Sequence, residues 1–466
     1  MAPALKAARL FTYRVGFGDC FLLRLEYEDR PRHVLVDFGT TSAAIDPAGP
    51  SLEDVAKEIA ADCQRPGGRS GTQGGTLDAI VATHRHRDHV SGFAGASWKI
   101  LKALKPGLAV MPWTEAPDAP VDGGVVPTGT RLAIGEASVA HARTLQAIHR
   151  VAAAAVKELE RRDGEDARDG GTEEPDEDAA SAWDAADLGP PSVNAPFPKR
   201  LAAQLRFVGL DNLQNPEAMA NLRGLPRVDY VCYGSKTRLE DVLPGVKVRV
   251  LGPPTLAQSD AIRRQRTVDR DEFWHVMAAA GEQVVRPGGP DLFPGVKTVG
   301  PSALPLETRW FLRRLDALRA EELFGIVRAL DDVLNNTSVI LLLELPVKGG
   351  KPRRVLLPGD AQLENWSYAL GRPGVKEALA GVDVLKVGHH GSLNATPKTL
   401  WNLLEKRGGP GKRGRLRTVL STRKGKHGSA QRGTEVPRKP LLEALQKDSE
   451  LTSTMKGKAV PPIELL

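Results

Sequence analysis

Residues 84–89 read His-Arg-His-Arg-Asp-His, three histidines and one aspartate in six positions. They follow the apolar run Ala79-Ile80-Val81-Ala82, with only Thr83 between. Imidazole nitrogen and carboxylate oxygen are the ligands that hold Zn²⁺ or Mn²⁺, and a catalytic site keeps one position open for water. In an extended turn, His84 and His86 point to one ion while Asp88 and His89 point to a second. The bland alternative is a solvated loop of histidine and arginine. Four potential ligands at this spacing, directly after a buried-strand signal, count against it.

Such a loop needs a scaffold. Residues 9–38 alternate apolar and polar side chains between Gly and Pro punctuation, which predicts a run of β-strands. A helix is expected over Leu52–Ala61, a Gly-rich loop over Pro66–Gly75, and a helix-permissive stretch over Val90–Leu104. Val246–Leu251 reads as a strand running into Gly252-Pro253-Pro254. Val339–Leu345 and Val355–Leu357 read as a hairpin around the polar loop Lys348–Arg354, and Val382–Val387 as a further strand. Helical spacing marks His141–Arg162 and the stretch from Phe311 to Val333. Residues 163–198 are acidic, rich in Gly and Pro and nearly devoid of large apolar side chains, the composition of a disordered excursion.

These segments carry a family resemblance. His84-Arg85-His86-Arg87-Asp88-His89 resembles the HxHxDH signature of the metallo-β-lactamase superfamily of hydrolases. Arg14–Cys20 with Val34–Gly39 resembles the opening strands of the branch that includes the nuclease-like domain of bacterial competence (DNA-uptake) proteins. Leu356-Leu357-Pro358-Gly359-Asp360 is similar to the strand ending in a metal-bridging aspartate, and Leu385–Ser392 is similar to that branch's HHGS segment. The segments lie in family order and cover roughly residues 8–110 and 330–445.

The resemblance implies an α/β fold, the αββα four-layer sandwich, with a large insertion that is mostly helical or disordered. Its halves would be residues 1–140 and 331–445, separated by an insertion over 141–330 and followed by a tail over 446–466. It implies two divalent ions, Zn²⁺ or Mn²⁺: His84 and His86 on the first, Asp88 and His89 on the second, and Asp360 between them. His389 is preferred to complete the second site because it comes first after its strand, but adjacent histidines are not separable by sequence. His390 stands as the alternative ligand, as a donor to a substrate oxygen or as a group that orients a neighbour. Asp88, Asp360 and His390 are expected to carry the chemistry.

Many family members place another histidine on the first metal, where this chain has Asn335-Asn336-Thr337-Ser338. An amide oxygen from Asn335 or Asn336, or water, would then replace an imidazole and hold that ion weakly; a turn or cap is their bland reading. Asp37 is expected to support the loop through hydrogen bonds rather than bind, and Asp19 to do likewise. His33, His141, His149 and His275 have no partner at metal spacing and read as packing or surface residues. A substrate contact is assigned to Ser392, and to Lys424, Lys426 and His427 in the basic stretch beyond it.

Charge patterning points the same way. The net charge is +7, yet Glu158–Asp187 holds thirteen acidic and three basic residues, net −10, while Glu405–Lys439 holds twelve basic and two acidic, net +10. Placed just after the HHGS segment, the basic stretch is expected near the metals, which favours nucleic acid or another phosphate-bearing substrate. The expected activity is that of a phosphodiesterase or nuclease acting through a metal-bound hydroxide. Hydrolysis of a small ester, lactone or thioester is the alternative, and a non-catalytic module sensing a nucleotide or partner is a second. The insertion over 141–330 offers room for a protein partner. No apolar run is long enough for a membrane span and no leader opens the chain, so a soluble cytoplasmic protein is expected. Cys20, Cys63 and Cys232 lie far apart and read as ordinary small apolar residues rather than a disulfide framework.

Overall fold

The computed structural model describes residues 3–41, 49–64, 75–116, 215–255, 258–259, 335–392, 394–423, 435–455 and 460–466. The chain divides into two units. The first comprises Met1–Ala142, Asn215–Trp274 and Val333–Leu466. The second, Arg143–Gln214 with His275–Asp332, lies outside the described residues, and with it His141–Arg162, the acidic excursion and His149 and His275. His141 and the Phe311–Val333 stretch are likewise outside them.

The first unit is mixed α/β with two mixed sheets. Among the described residues one sheet has seven strands: β1 (Leu5–Thr12), β2 (Cys20–Tyr27), β3 (Pro31–Phe38), β4 (Ala79–Val81), β5 (Leu108–Pro112), β6 (Val228–Val231) and, beside β1, β13 (Ile463–Glu464). The other has six, β7 (Lys247–Gly252), β8 (Ile340–Leu345), β9 (Arg353–Leu357), β10 (Val384–Lys386), β11 (Arg417–Leu420) and β12 (Glu450–Ser453). In each sheet an antiparallel meander gives way to parallel strands: β3 to β6 run together, as do β9 to β12.

Period-two side-chain direction explains how the sheets pack. In β2, Phe21, Leu23 and Leu25 enter one apolar cluster while Cys20 and Leu22 enter another. In β8, Leu341, Leu343 and Leu345 join the first of these clusters, and Ile340 and Leu342 join a third. The shared cluster therefore lies between the sheets. The other two lie on their far faces, where Val55 and Ile59 of the helix Leu52–Asp62 and Trp366 of the helix Leu363–Leu370 close them. Strands buried on both faces read as continuous apolar runs, as Ile340–Leu343 does. The helix Leu52–Asp62 opens on a capping box: Ser51 Oγ accepts from the Asp54 N–H, and Asp54 Oδ2 from the Ser51 N–H, both at 3.1 Å.

Two of the expected boundaries shift. Residues 215–252, expected within the insertion, supply β6 and β7, one edge of each sheet. Residues 446–466 are not a tail, because β12 pairs with β11 and β13 with β1. The three cysteines are free and buried.

Candidate metal centre

The polar residues that need explaining sit beyond the carboxyl ends of β3, β4, β9, β10 and β11, where loops leave parallel strands. Asp37, at the end of β3, has φ 54°, and His389 and His390 after β10 have φ 43° and 53°. These are three of the four non-glycine residues with positive φ among the described residues, so backbone strain concentrates here. Gly359, φ 56°, leads from β9 into Asp360; a Cβ there would come within 2.7 Å of Thr83 Cβ and 3.2 Å of Ser338 Cβ. A Cβ on Gly39 would meet Arg87 O at 2.3 Å, so β3's exit loop can lie against the histidine loop only with glycine at that position.

Asp37 organises the loop after β4. Its Oδ1 accepts the Thr83 N–H and its Oδ2 the Thr83 hydroxyl, both at 2.7 Å, and Oδ2 also lies 2.9 Å from His89 Nδ1. An acceptor there fixes the His89 proton on Nδ1 and leaves Nε2 as the outward nitrogen. His390 is held in the same sense by a different group. Its Nδ1 faces the Ser421 carbonyl oxygen at 2.9 Å, and its Nε2 is the outward nitrogen.

Those outward nitrogens meet carboxylates. His89 Nε2 lies 3.0 Å from Asp360 Oδ2, and His390 Nε2 lies 2.8 Å from Asp88 Oδ2. All four side chains are buried, and their ligand atoms lie within 4.8 Å of one another. A neutral imidazole protonated on Nδ1 presents a lone pair at Nε2, which a carboxylate oxygen does not satisfy. Either two extra protons or a cation must lie between them. Burial opposes charge on His89, but the carboxylates of Asp360, Asp88 and Asp37 outweigh it and raise its pKa well above the ordinary value. Burial likewise opposes charge on His390, and Asp19 and Asp88 outweigh it, raising its pKa. Asp360 is held well below the usual carboxylate range: burial would raise it, and His89 and Lys386 overcome that. The donor set, two nitrogens and two oxygens converging in a buried site, fits a divalent ion.

The adjacent histidines divide differently from the expectation. His390, not the preferred His389, brings its ring into the cluster. His389 instead supplies its backbone N–H to Asp360 Oδ1 at 3.0 Å. His84 and His86 do not join this cluster. His84 Nε2 and His86 Nδ1 lie 3.0 Å apart, with His84 Nδ1 3.2 Å from Thr83 Oγ1. Two nitrogens at that separation suit neighbouring ligands of one ion, but among the described residues neither belongs to a group of three or more ligand atoms within 4.8 Å of one another.

A second acidic cluster, Asp19, Asp37 and His89, lies behind the first. There the donors are already present: Thr83 and His89 on Asp37, and the buried Lys386 ammonium on Asp19. It orients the inner cluster rather than competing with it. Lys386 escaped the sequence reading. Its signal was a charged residue in the apolar run Val384-Leu385-Lys386-Val387, where a buried strand has little use for one.

Asn335 and Asn336 are buried before β8. Asn336 Nδ2 donates to Glu364 Oε2 at 3.2 Å, and neither asparagine's Oδ1 has a hydrogen-bond partner among the described residues. Ser392 is buried beside the cluster, with its N–H on His389 O at 2.8 Å. Lys424, Lys426 and His427 lie outside the described residues. Part of the basic stretch is not where its place in the sequence put it. β11 is parallel to β10, and its carboxyl end is followed by Ser421 at the cluster, so Arg413, Arg415 and Arg417 lie at the other end of the strand. There Arg415 donates to the carbonyl oxygens of Gly408 (2.6 Å) and Lys447 (2.9 Å), and Arg417 to that of Glu464.

No family model matches the chain, and no curated protein matches it. Among the described residues no helix is long and apolar enough to cross a membrane.

Proposed function

We propose that this chain is a metal-dependent hydrolase of the metallo-β-lactamase kind, an αββα sandwich acting on phosphodiesters, most plainly those of nucleic acid. The observation that carries the metal reading is the pair of fixed imidazoles whose free nitrogens face Asp88 and Asp360. Asp88, His89, Asp360 and His390 would hold one divalent ion tightly. His84 and His86, whose facing nitrogens lie 3.0 Å apart, would hold a second ion, and more loosely because two nitrogens bind less tightly than the four ligands of the inner cluster. A bound divalent ion supplies Lewis acidity and lowers the pKa of a bound water toward neutrality.

The protein's own groups do the rest. Asp37 and the Ser421 carbonyl keep the two rings in one tautomer and one orientation. The Asp88 and Asp360 carboxylates set the negative local charge that a cation would neutralise. The phosphodiester reading is supported by the resemblance of the HxHxDH, Asp360 and HHGS segments to the competence branch. It is supported also by the basic run that begins at Arg423 and Lys424, just after the strand end whose Ser421 carbonyl holds His390.

Metal analysis of the purified chain with a panel of single- and double-stranded DNA, RNA, a bis-aryl phosphate, an aryl ester and a lactone tests this. The expected result is at least one Zn²⁺ or Mn²⁺ per chain and hydrolysis of phosphodiesters that Asp88→Ala and Asp360→Asn abolish. Turnover of the ester or lactone alone would move the substrate class to small esters. A chain that takes up no metal and turns over nothing would leave a binding module.

A further inference from the structure

Lys386 is 2 % exposed, and its ammonium lies between the sheets' loops with three partners. It contacts the Asp19 carboxylate from the β1–β2 loop, Asp360 Oδ1 at 3.0 Å and the Gly359 carbonyl oxygen at 2.9 Å. Two of the ammonium's three donors are hydrogen-bonded, to Asp360 and Gly359, and the Asp19 carboxylate is its ion-pair partner. Burying such a charge is costly unless partners compensate it, and packing alone would have favoured an apolar residue in this strand.

The consequence falls on Asp360. Its Oδ1 takes both the Lys386 ammonium and the His389 N–H, each at 3.0 Å. Its Oδ2 faces His89 Nε2 at 3.0 Å and His390 Nε2 at 3.8 Å. A carboxylate with one oxygen held by two donors cannot turn to offer both. We infer that Lys386 is a positioning residue that pins Asp360 so that only Oδ2 reaches the metal, while its ammonium closes the Asp19 cluster to a further ion. This rests on the reading that the inner cluster holds a divalent cation.

Charge and position separate cleanly in a double variant. Lys386→Met alone strips a positive charge and leaves buried Asp19 without its cation. Asp19→Asn together with Lys386→Met removes one charge of each sign, so the net charge around the metal is unchanged while the grip on Asp360 is lost; Asp19→Asn alone, with Lys386 kept, is the control for Asp19's own effect on His89 and His390. Zn²⁺ and Mn²⁺ would be titrated calorimetrically into the metal-stripped full chain, with circular dichroism and thermal unfolding as the check on folding. The expected result is a folded double variant that binds both ions at least about tenfold more weakly than the natural chain, the effect typical of losing a group that orients a ligand. A folded double variant that binds as tightly as the natural chain overturns the inference and reduces Lys386 to a counter-charge for Asp19.

A measurement on the natural chain does not depend on how the variant folds. A crystal structure of the Zn²⁺-loaded protein should show Asp360 on the metal through one oxygen, with the other still on Lys386. Two-oxygen binding with Lys386 displaced overturns the proposal. A natural chain that takes up neither ion removes the metal reading itself, a result distinct from either of these.

Discussion

β3 has a buried histidine near its start and, beyond its end, a second one held by the aspartate that closes it, and the two are treated in opposite ways. His33 Nδ1 faces the Thr76 carbonyl oxygen at 2.8 Å, and its buried Nε2 has no hydrogen-bond partner among the described residues. Burial pushes its pKa down to about 4, overcoming the nearby Asp78. It is a neutral ring used for packing. His89 is as deeply buried and its Nδ1 is held by Asp37, yet its Nε2 meets Asp360 and its pKa is driven up. What the second nitrogen faces decides whether a buried imidazole is filler or a host for a cation.

The largest effect should come from breaking the inner cluster. His390→Ala or Asp88→Ala should weaken Zn²⁺ binding by more than about 100-fold, since losing a ligand exceeds the loss expected for a group that merely orients one. His33→Gln should leave the same titration unchanged, and His389→Ala, which keeps the backbone N–H on Asp360, should stay within about threefold. If His390→Ala binds Zn²⁺ like the natural chain while His389→Ala does not, the assignment of the two histidines is reversed.

At the other end of β3 the expected signature is in pH. The His33 pKa in the folded chain, about 4, lies below its ordinary value of 6.5, so the unfolded chain takes up the proton first as pH falls. Its contribution is constant above about pH 6.5, and stability is lost between there and about 4, by up to about 3 kcal/mol. Thermal unfolding of the metal-free chain at several pH values should show this slope, and His33→Gln should flatten it. An unchanged slope would mean that His33 is already charged when folded.

Asp37→Asn sharpens the contrast with a smaller effect. Asp37 accepts from three donors, and an amide can match only some of them while setting its own N–H against another. Asparagine tolerates positive φ, so the backbone should hold. Metal affinity is expected to fall about 10- to 100-fold. Loss of the fold with no separate effect on the metal would make Asp37 a structural residue only.

Much of this was legible because it is local. Alternation in 9–38 gave β1 to β3, and the spacing of His84 to His89 marked the loop, with Asp37 and Asp360 at strand ends beside it. Other features depend on distant chain. Choosing between His389 and His390 needed two positive-φ residues and a carbonyl 31 positions away in sequence. Lys386 reads locally as a misplaced charge, and only partners distant in sequence, Asp19 from the β1–β2 loop and Asp360 after β9, explain it. β6 and β13 are short and pair with strands far away in sequence, so no periodicity announces them.

The basic stretch shows the same limit, and testing it gives the smallest expected effect. Between β10 and β11 the chain must return to the far end of the sheet, because parallel neighbours require a crossover. Nearness in sequence to His390 therefore places Lys406 to Arg417 away from it. Replacing Arg413, Arg415 and Arg417 with Ala should leave nucleic-acid affinity and its salt slope nearly unchanged. Replacing Lys424 and Lys426, which follow the strand end at the cluster, should weaken binding and lower the slope by roughly one unit for each phosphate that is no longer neutralised. Hydrolysis of a small bis-aryl phosphate should respond to neither set of changes. If the three arginines carry the salt dependence and the two lysines do not, nucleic acid docks at the strand ends opposite the metal cluster, and the phosphodiester reading of the cluster loses its electrostatic support.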